Sequence, residues 1–319
     1  MRFLILGAGG IGGYYGARLQ AAGHPVLFIA RGDHLKALRQ HGLSVTHPEF
    51  KFDEKVNAED QQGLIADYRA DDFDLLILTV KAGATEQLMQ SLQGWLSLAR
   101  TPVLSLQNGV DNEISIAAHI GSERTIGGLA VRIGGHIISP GVIEATGVAQ
   151  VVMGAWKCAL DHPKQQEDLK IVADCFNRAA IPTTLSDTIQ KALWRKLLIN
   201  NGVNPLSALT GLDTRTLTSH PVLTRTVYQL MEEVAVAATA DGVDLERSDI
   251  DEMYQLICQF DAIKTSMLVD REKGRPLELD AISGVVVERC GRLGKEAPIS
   301  ALIQALLLNQ LKVAGKSLS

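Results

Sequence analysis

Short apolar runs, bounded by glycine or polar residues, recur through the first half of the chain, separated by segments whose apolar positions follow a helical spacing. Phe3–Leu6 and residues 25–30, 75–80 and 103–106 are such runs, too short for helices and continuous enough for strands buried on both faces. Residues 14–19 and 84–92 suit helices between them, so the pattern predicts a mostly parallel sheet covered on both sides. From 124 to 153 the texture changes to β-branched residues punctuated by glycine, with a turn at Ser139-Pro140-Gly141, which predicts antiparallel strands joined to the same sheet. A helix over 163–179 closes this part, and Ile181-Pro182 interrupts the chain.

Beyond Ser186 the strand signals nearly vanish. Ser186-Asp187 offers N-cap chemistry for a long helix through Trp194 and Lys196, and further helices are predicted over 222–241, 249–258, 279–293 and 299–313, with Gly242, Gly274 and Gly294 at turns or ends. The expected architecture is therefore a Rossmann-type α/β N-terminal domain, residues 1–182, followed by an all-α domain, residues 183–319. A length of 319 residues suits two hydrophobic cores.

Charge and cysteine usage narrow the partners. A net charge of −5 with no dense block of Lys and Arg provides no field for a polyanion, so nucleic acid is not an expected partner. No apolar stretch approaches the ~20 residues needed to span a bilayer, and the apolar opening reads as a strand, because glycines break it and Arg18 follows. Cys158, Cys175, Cys258 and Cys290 lie far apart, without zinc or redox spacing, and none of the eight histidines sits in a metal-ligand pattern. The expectation is a cytoplasmic protein with reduced thiols and no metal. The apolar C-terminal helices either supply a homodimer interface or fill the second domain's own core.

Gly7, Gly9 and Gly12 fit GxGxxG, directly after a strand and opening a helix. In that setting the glycines serve a tight turn, close approach of a pyrophosphate to the backbone, and close packing of helix on strand. An acid about 20 residues further on would hold the ribose 2′-hydroxyl of NAD. Arg31 stands there instead, and its planar guanidinium suits the 2′-phosphate of NADP.

Lys196, Asn200 and Asn204 are spaced by four, which rotates each step by only about 40° on a helix and makes a narrow polar stripe. A fraying helix end explains them equally well, because Gly202 and Pro205 both discourage continuation. Asn108-Gly109 is a common turn dipeptide, and Lys81 alone reads as a surface lysine, but both follow presumed parallel strands, at whose carboxyl ends ligands collect. Ser266 in isolation reads as a helix cap, and Glu278 as a partner for Lys273 or Arg275.

The glycine-rich opening, Arg31, Gln107-Asn108-Gly109, the Lys196 segment, Thr265-Ser266-Met267 and Glu278-Leu279-Asp280 follow one another in the order seen in ketopantoate reductases, and the chain resembles that family over nearly its whole length. The resemblance implies NADPH-dependent reduction of 2-dehydropantoate to D-pantoate on the route to pantothenate. It implies that Lys196 is the catalytic lysine and that Glu278 lies near the reacting group. It further implies that Asn200, Asn204, Ser266 and Asn108 bind substrate, with Asn108 and Lys81 also near the cofactor. Gly202 and the Lys273-Gly274-Arg275-Pro276 run depart from the pattern and bear on pocket shape.

Hydride delivery to a ketone leaves negative charge on oxygen, and a lysine, with an ordinary pKa of about 10.4, is a protonated donor at neutral pH. Lys196 is expected to be the general acid to the substrate carbonyl, with Glu278 orienting it or the substrate hydroxyl. The helical domain is expected to supply this acid across an interdomain cleft from the nicotinamide held by the first domain. Two other functions stay open on these residues. One is a related 2-oxo acid reductase, similar to D-mandelate or D-2-hydroxyisovalerate dehydrogenases; the other is a non-catalytic NADPH sensor.

Overall fold

The computed structural model describes residues 1–156 and 163–313. It groups them into two compact units: Met1–Gln107 with Asp111–Ile189, and Asn108–Val110 with the chain from Gln190 on.

In the first unit the elements run β1 (Phe3–Leu6), α1 (Gly10–Ala21), β2 (Val26–Ile29), α2 (Gly32–His41), β3 (Leu43–His47), β4 (Phe50–Glu54), β5 (Asn57–Glu59) and α3 (Gln61–Asp67). They continue with β6 (Leu75–Leu78), α4 (Thr85–Leu96), β7 (Val103–Ser105), α5 (Asn112–Ile120), β8 (Thr125–Ser139), β9 (Val142–Ala155), α6 (Pro163–Arg178) and β10 (Thr183–Leu185). The strands form one sheet in the order β4-β3-β9-β8-β7-β6-β1-β2-β5, with β10 beside β9. Within it, β5-β2-β1-β6-β7-β8 is the dinucleotide-fold order, whose reversal lies between β1 and β6.

Alternation explains why the parallel strands are apolar throughout. Phe3, Ile5, Phe28, Ile77 and Leu104 pack on one face with Tyr15, Leu38, Val172 and Phe176, while Leu4, Leu6, Leu27, Leu76 and Leu78 pack on the other with Leu64, Met89, Leu92 and Ile116. Each parallel strand therefore needs apolar side chains at both parities. The long β8–β9 pair is antiparallel, as the glycine-punctuated texture predicts, and its register shifts between Val131 and Ile133.

Three strands in 43–59 depart from the sequence expectation, which has none there. β3 buries Leu43, Val45 and His47 and turns Ser44 and Thr46 outward, so it carries a one-sided alternation that a search for continuous apolar runs does not register. β10 is the other departure. Thr183–Leu185 pairs parallel with Val151–Met153 of β9, so this segment, expected to open the helical part, lies in the sheet. Cys158 lies outside the described residues, while Cys175, Cys258 and Cys290 are free thiols.

The second unit is built from α7 (Ile189–Thr210), α8 (Thr214–Ser219), α9 (Leu223–Ala238), α10 (Arg247–Cys258), α11 (Ser266–Glu272), α12 (Val285–Arg292) and α13 (Pro298–Val313). α9 is central and packs on α8, α10, α12 and α13. α7 does not fray at Gly202 or Pro205, but continues to Thr210. Gly202 faces α9, since a Cβ there would lie 3.2 Å from Met231. Asn201, fully buried, donates to Ser300 Oγ at 3.0 Å and accepts from Ser283 Oγ at 3.0 Å. α13 starts with Pro298 in its first turn, and the Glu233 carboxylate of α9 accepts the Ile299 and Ser300 amides at 2.8 Å each, satisfying orphan donors of that terminus. The two short helices α8 and α11 are absent from the sequence expectation; each has one turn or two of apolar periodicity, too little to register.

Candidate functional site

In the first unit the glycine-rich turn links β1 to α1 at the carboxyl end of β1, beside the end of β6, which is the reversal point of the strand order. The three glycines have different tasks. Gly7 has φ +109°, and a Cβ on it would meet Val80 Cγ1 at 2.8 Å. Gly12 could carry no Cβ either, because that atom would lie 2.3 Å from the Gly7 carbonyl oxygen and 2.3 Å from Thr79 Oγ1. Around Gly9, by contrast, nothing lies within 4 Å of such an atom. A cradle open at the middle glycine and tight at the other two is the shape in which a phosphate can approach the backbone. Gly9 is the N-cap of α1 and makes no side-chain cap, so the first amides of the helix have no intrahelical acceptor and point at that cradle.

This separation gives a prediction. Gly12→Ala should cost about 1–3 kcal/mol of stability through overpacking, read as a lower thermal midpoint. Gly9→Ala should leave the midpoint unchanged and weaken dinucleotide binding, because its methyl occupies only the cradle.

Arg31 caps α2 in extended conformation, with φ −137°, and its side chain is exposed. Gly32 follows at φ +58°, which turns the chain into the helix. Lys81 is exposed and follows β6 through Thr79 and Val80. Gln107, buried at the end of β7, donates through Nε2 to the Val80 carbonyl and to Thr85 Oγ1, both at 2.8 Å, and Thr85 Oγ1 donates to Asn112 Oδ1 at 2.9 Å. This clasp fixes the peptide before Lys81 and the residue before Asn108. Thr79 is a second organiser, donating to the Gly7 carbonyl at 2.7 Å. The sequence marks neither as functional, because a glutamine or threonine at a strand end has no pattern of its own.

In the second unit Lys196, Asn200 and Asn204 lie on the continuous helix α7, so the stripe exists. Lys196 and Asn200 are half-buried and Asn204 is buried. Asn200 Nδ2 is buried with no hydrogen-bond partner among the described residues. A buried amide donor left unmade costs about 1–3 kcal/mol, so its retention points to an acceptor supplied by a ligand. Asn201, next in sequence but about 100° away on the helix, turns into the core instead.

Glu278 is half-buried and sits just before a π-helical turn, Asp280–Gly284, a distortion of a kind often found at functional sites. Asn108 belongs to this unit, and its Nδ2 donates to Glu278 Oε2 at 3.3 Å. Two candidates 170 residues apart in sequence are thus brought together. Arg275 lies 3.8 Å from Asp270. The cap of α11 is Thr265, whose side chain accepts the Leu268 amide, and this leaves Ser266 exposed at the first helical position. Among the described residues no helix is long and apolar enough to cross a membrane, and no three His, Cys, Asp or Glu side chains could together hold a metal.

Comparison with known proteins covers both units. Residues 3–157 match the family model described as ketopantoate reductase PanE/ApbA, and residues 188–310 match its C-terminal counterpart. The 2-dehydropantoate 2-reductase of Pyrococcus horikoshii is 30% identical over 99% of this chain and 100% of its own. The crystal structure of a PanE/ApbA family ketopantoate reductase from Ralstonia eutropha superposes with a TM-score of 0.84 at 28% identity, covering 96% of this chain and 97% of that one. A D-mandelate dehydrogenase solved with NADH and anilino(oxo)acetate gives a TM-score of 0.88 at 22% identity, covering 99% of this chain and all of that one, a likeness of fold.

Proposed function

The chain belongs to the ketopantoate reductase family, and from that premise we propose that it is a cytoplasmic enzyme that reduces 2-dehydropantoate to D-pantoate with NADPH, supplying pantothenate synthesis. The observation that carries the reading is the orphaned buried donor of Asn200 on the same helix stripe as Lys196. A substrate with a carboxylate, a ketone and a hydroxyl supplies the acceptors such a donor lacks.

The cradle at Gly9, with Gly7 and Gly12 closing in on either side, fits a dinucleotide pyrophosphate, and Arg31 fits its 2′-phosphate. When bound, the dihydronicotinamide supplies a hydride to the 2-oxo carbon. Lys196 Nζ gives its proton to the carbonyl oxygen as the C=O electron pair moves there, and recovers a proton from solvent. Glu278, held by Asn108, orients the lysine or the substrate hydroxyl, while Asn200, Asn204 and Ser266 hold the carboxylate and hydroxyl and select the carbonyl face. Lys81 serves as a cation near the cofactor.

Steady-state rates with ketopantoate and with phenylglyoxylate, each with NADPH and NADH, test the proposal. The expected result is the highest kcat/KM for ketopantoate with NADPH, by at least about tenfold, the worth of one well-made polar contact. Faster phenylglyoxylate reduction would move the substrate to a bulkier 2-oxo acid. Binding of NADPH without turnover of any 2-oxo acid would make the chain a sensor.

A further inference from the structure

The eight histidines have no pattern in sequence that assigns them chemistry, yet one of them is built into the glycine-rich turn. His34 lies in the first turn of α2, three residues after Arg31, and is half-buried. Its Nδ1 accepts the Gly141 amide at 3.1 Å, so that nitrogen carries no proton. The ring hydrogen therefore sits on Nε2, which donates to the Ala8 carbonyl at 2.8 Å. Burial pushes the imidazole below its ordinary pKa, and the bond to Ala8 offsets only part of that, which favours the neutral ring this pair of bonds requires.

Ala8 is the residue between Gly7 and Gly9. Its amide donates to the Ile29 carbonyl at 2.8 Å, at the end of β2. The next peptide, Ala8–Gly9, is held at both ends, by His34 on the Ala8 carbonyl and by the Gly9 amide, which donates to the Gly7 carbonyl at 2.7 Å. A carbonyl dipole rotated into the turn would place partial negative charge among the amides that face the cradle, which works against any phosphate there. His34 keeps that oxygen on α2. The same ring ties α2 to the β8–β9 turn, where a Cβ on Gly141 would lie 3.2 Å from Ala37 Cβ, so helix, hairpin and glycine-rich turn meet at one side chain.

We propose that His34 is a positioning residue for NADPH: it braces the glycine-rich turn against the first turn of α2, and so sets the distance between the amides that receive the pyrophosphate and Arg31, which receives the 2′-phosphate. The inference rests on the NADPH reading above. His34 touches neither phosphate in this account and acts through the Ala8 peptide.

Two variants separate the bonds. His34→Asn retains an acceptor near the Nδ1 position for Gly141 and cannot reach Ala8, whereas His34→Gln retains a donor near the Nε2 position for Ala8. NADPH affinity of the full-length protein is measured by nicotinamide fluorescence, with kcat and KM determined alongside. His34→Asn is expected to raise the NADPH Kd about tenfold, with kcat at saturating cofactor within about twofold of the parent, and His34→Gln is expected to bind NADPH within about threefold of it. Equal affinity in His34→Asn and the parent overturns the proposal, as does an equal loss in both variants or a loss confined to kcat. A parent protein that binds neither NADPH nor NADH overturns the cofactor reading itself, an outcome distinct from a parent that binds and a His34→Asn variant that binds as well.

Discussion

Replacing Lys196 by alanine is expected to lower kcat for ketopantoate reduction by about 100- to 10,000-fold, the range that general acid assistance contributes, while the NADPH Kd stays within about twofold. The split follows from the separate roles of these residues. Lys196 is proposed to act on the substrate carbonyl, whereas the glycine-rich cradle and Arg31 are proposed to hold the dinucleotide phosphates, so removing the ammonium leaves those contacts in place. Without the proton donor the developing alkoxide must be protonated by water, and the barrier rises while ground-state binding hardly changes. Asn200→Ala supplies the contrast, since loss of a substrate contact should appear chiefly as a higher KM for the 2-oxo acid. Pre-steady-state hydride transfer monitored at the nicotinamide absorbance, with saturating NADPH, checks the first expectation. A Lys196→Ala enzyme with the parent's rate would remove this residue from the chemistry.

Arg31→Ala should raise the KM for NADPH by about 10- to 100-fold and leave the KM for NADH within about twofold, so that the preference between the two cofactors falls by the same factor. Hydrogen bonds to charged groups contribute about 1.5–3 kcal/mol each, which sets that range. The side chain is exposed at the N-cap of α2, so its loss leaves no cavity and no buried group without a partner, and the melting temperature should not change. Steady-state kinetics with both cofactors decide it. Equal losses with NADPH and NADH would mean that Arg31 supports the turn and does not read the 2′-phosphate. Because surface charge is screened by salt, the NADPH penalty should also shrink as ionic strength rises.

The glycine cradle was legible because its chemistry is local: a strand, six residues and a helix state the turn, and Gly7, Gly9 and Gly12 occur in the structure at the join of β1 and α1. What the spacing could not show was which distant residues impose their tasks. Gly12 is required by Thr79 and Gly7 is set by Val80, about 70 residues away, whereas Gly9 is left open. The polar stripe of α7 was legible for the same reason, since four-residue steps share a helix face. The choice between a stripe and a frayed end was not, because Pro205 removes a backbone donor, and the closeness of α9 at Gly202, where the helix continues, is not visible in the spacing.

Sequence alone determined the alternation of buried strands with helices, the change to an all-helical second part, the dinucleotide turn, and Arg31 at the end of the next strand, and it set the four-residue spacing of Lys196, Asn200 and Asn204. All of these depend on periodicity or spacing within about 25 residues, which the backbone converts directly into faces and turns. Tertiary structure decided the rest. It set Asn108 against Glu278, sent Asn201 to Ser283 and Ser300 while leaving Asn200 Nδ2 without a partner among the described residues, placed Thr183–Leu185 in the sheet, and put His34 between Ala8 and Gly141. These pairings depend on strand register and helix packing between distant segments, and a hydrogen-bonding side chain carries no local mark of which distant backbone group it will meet.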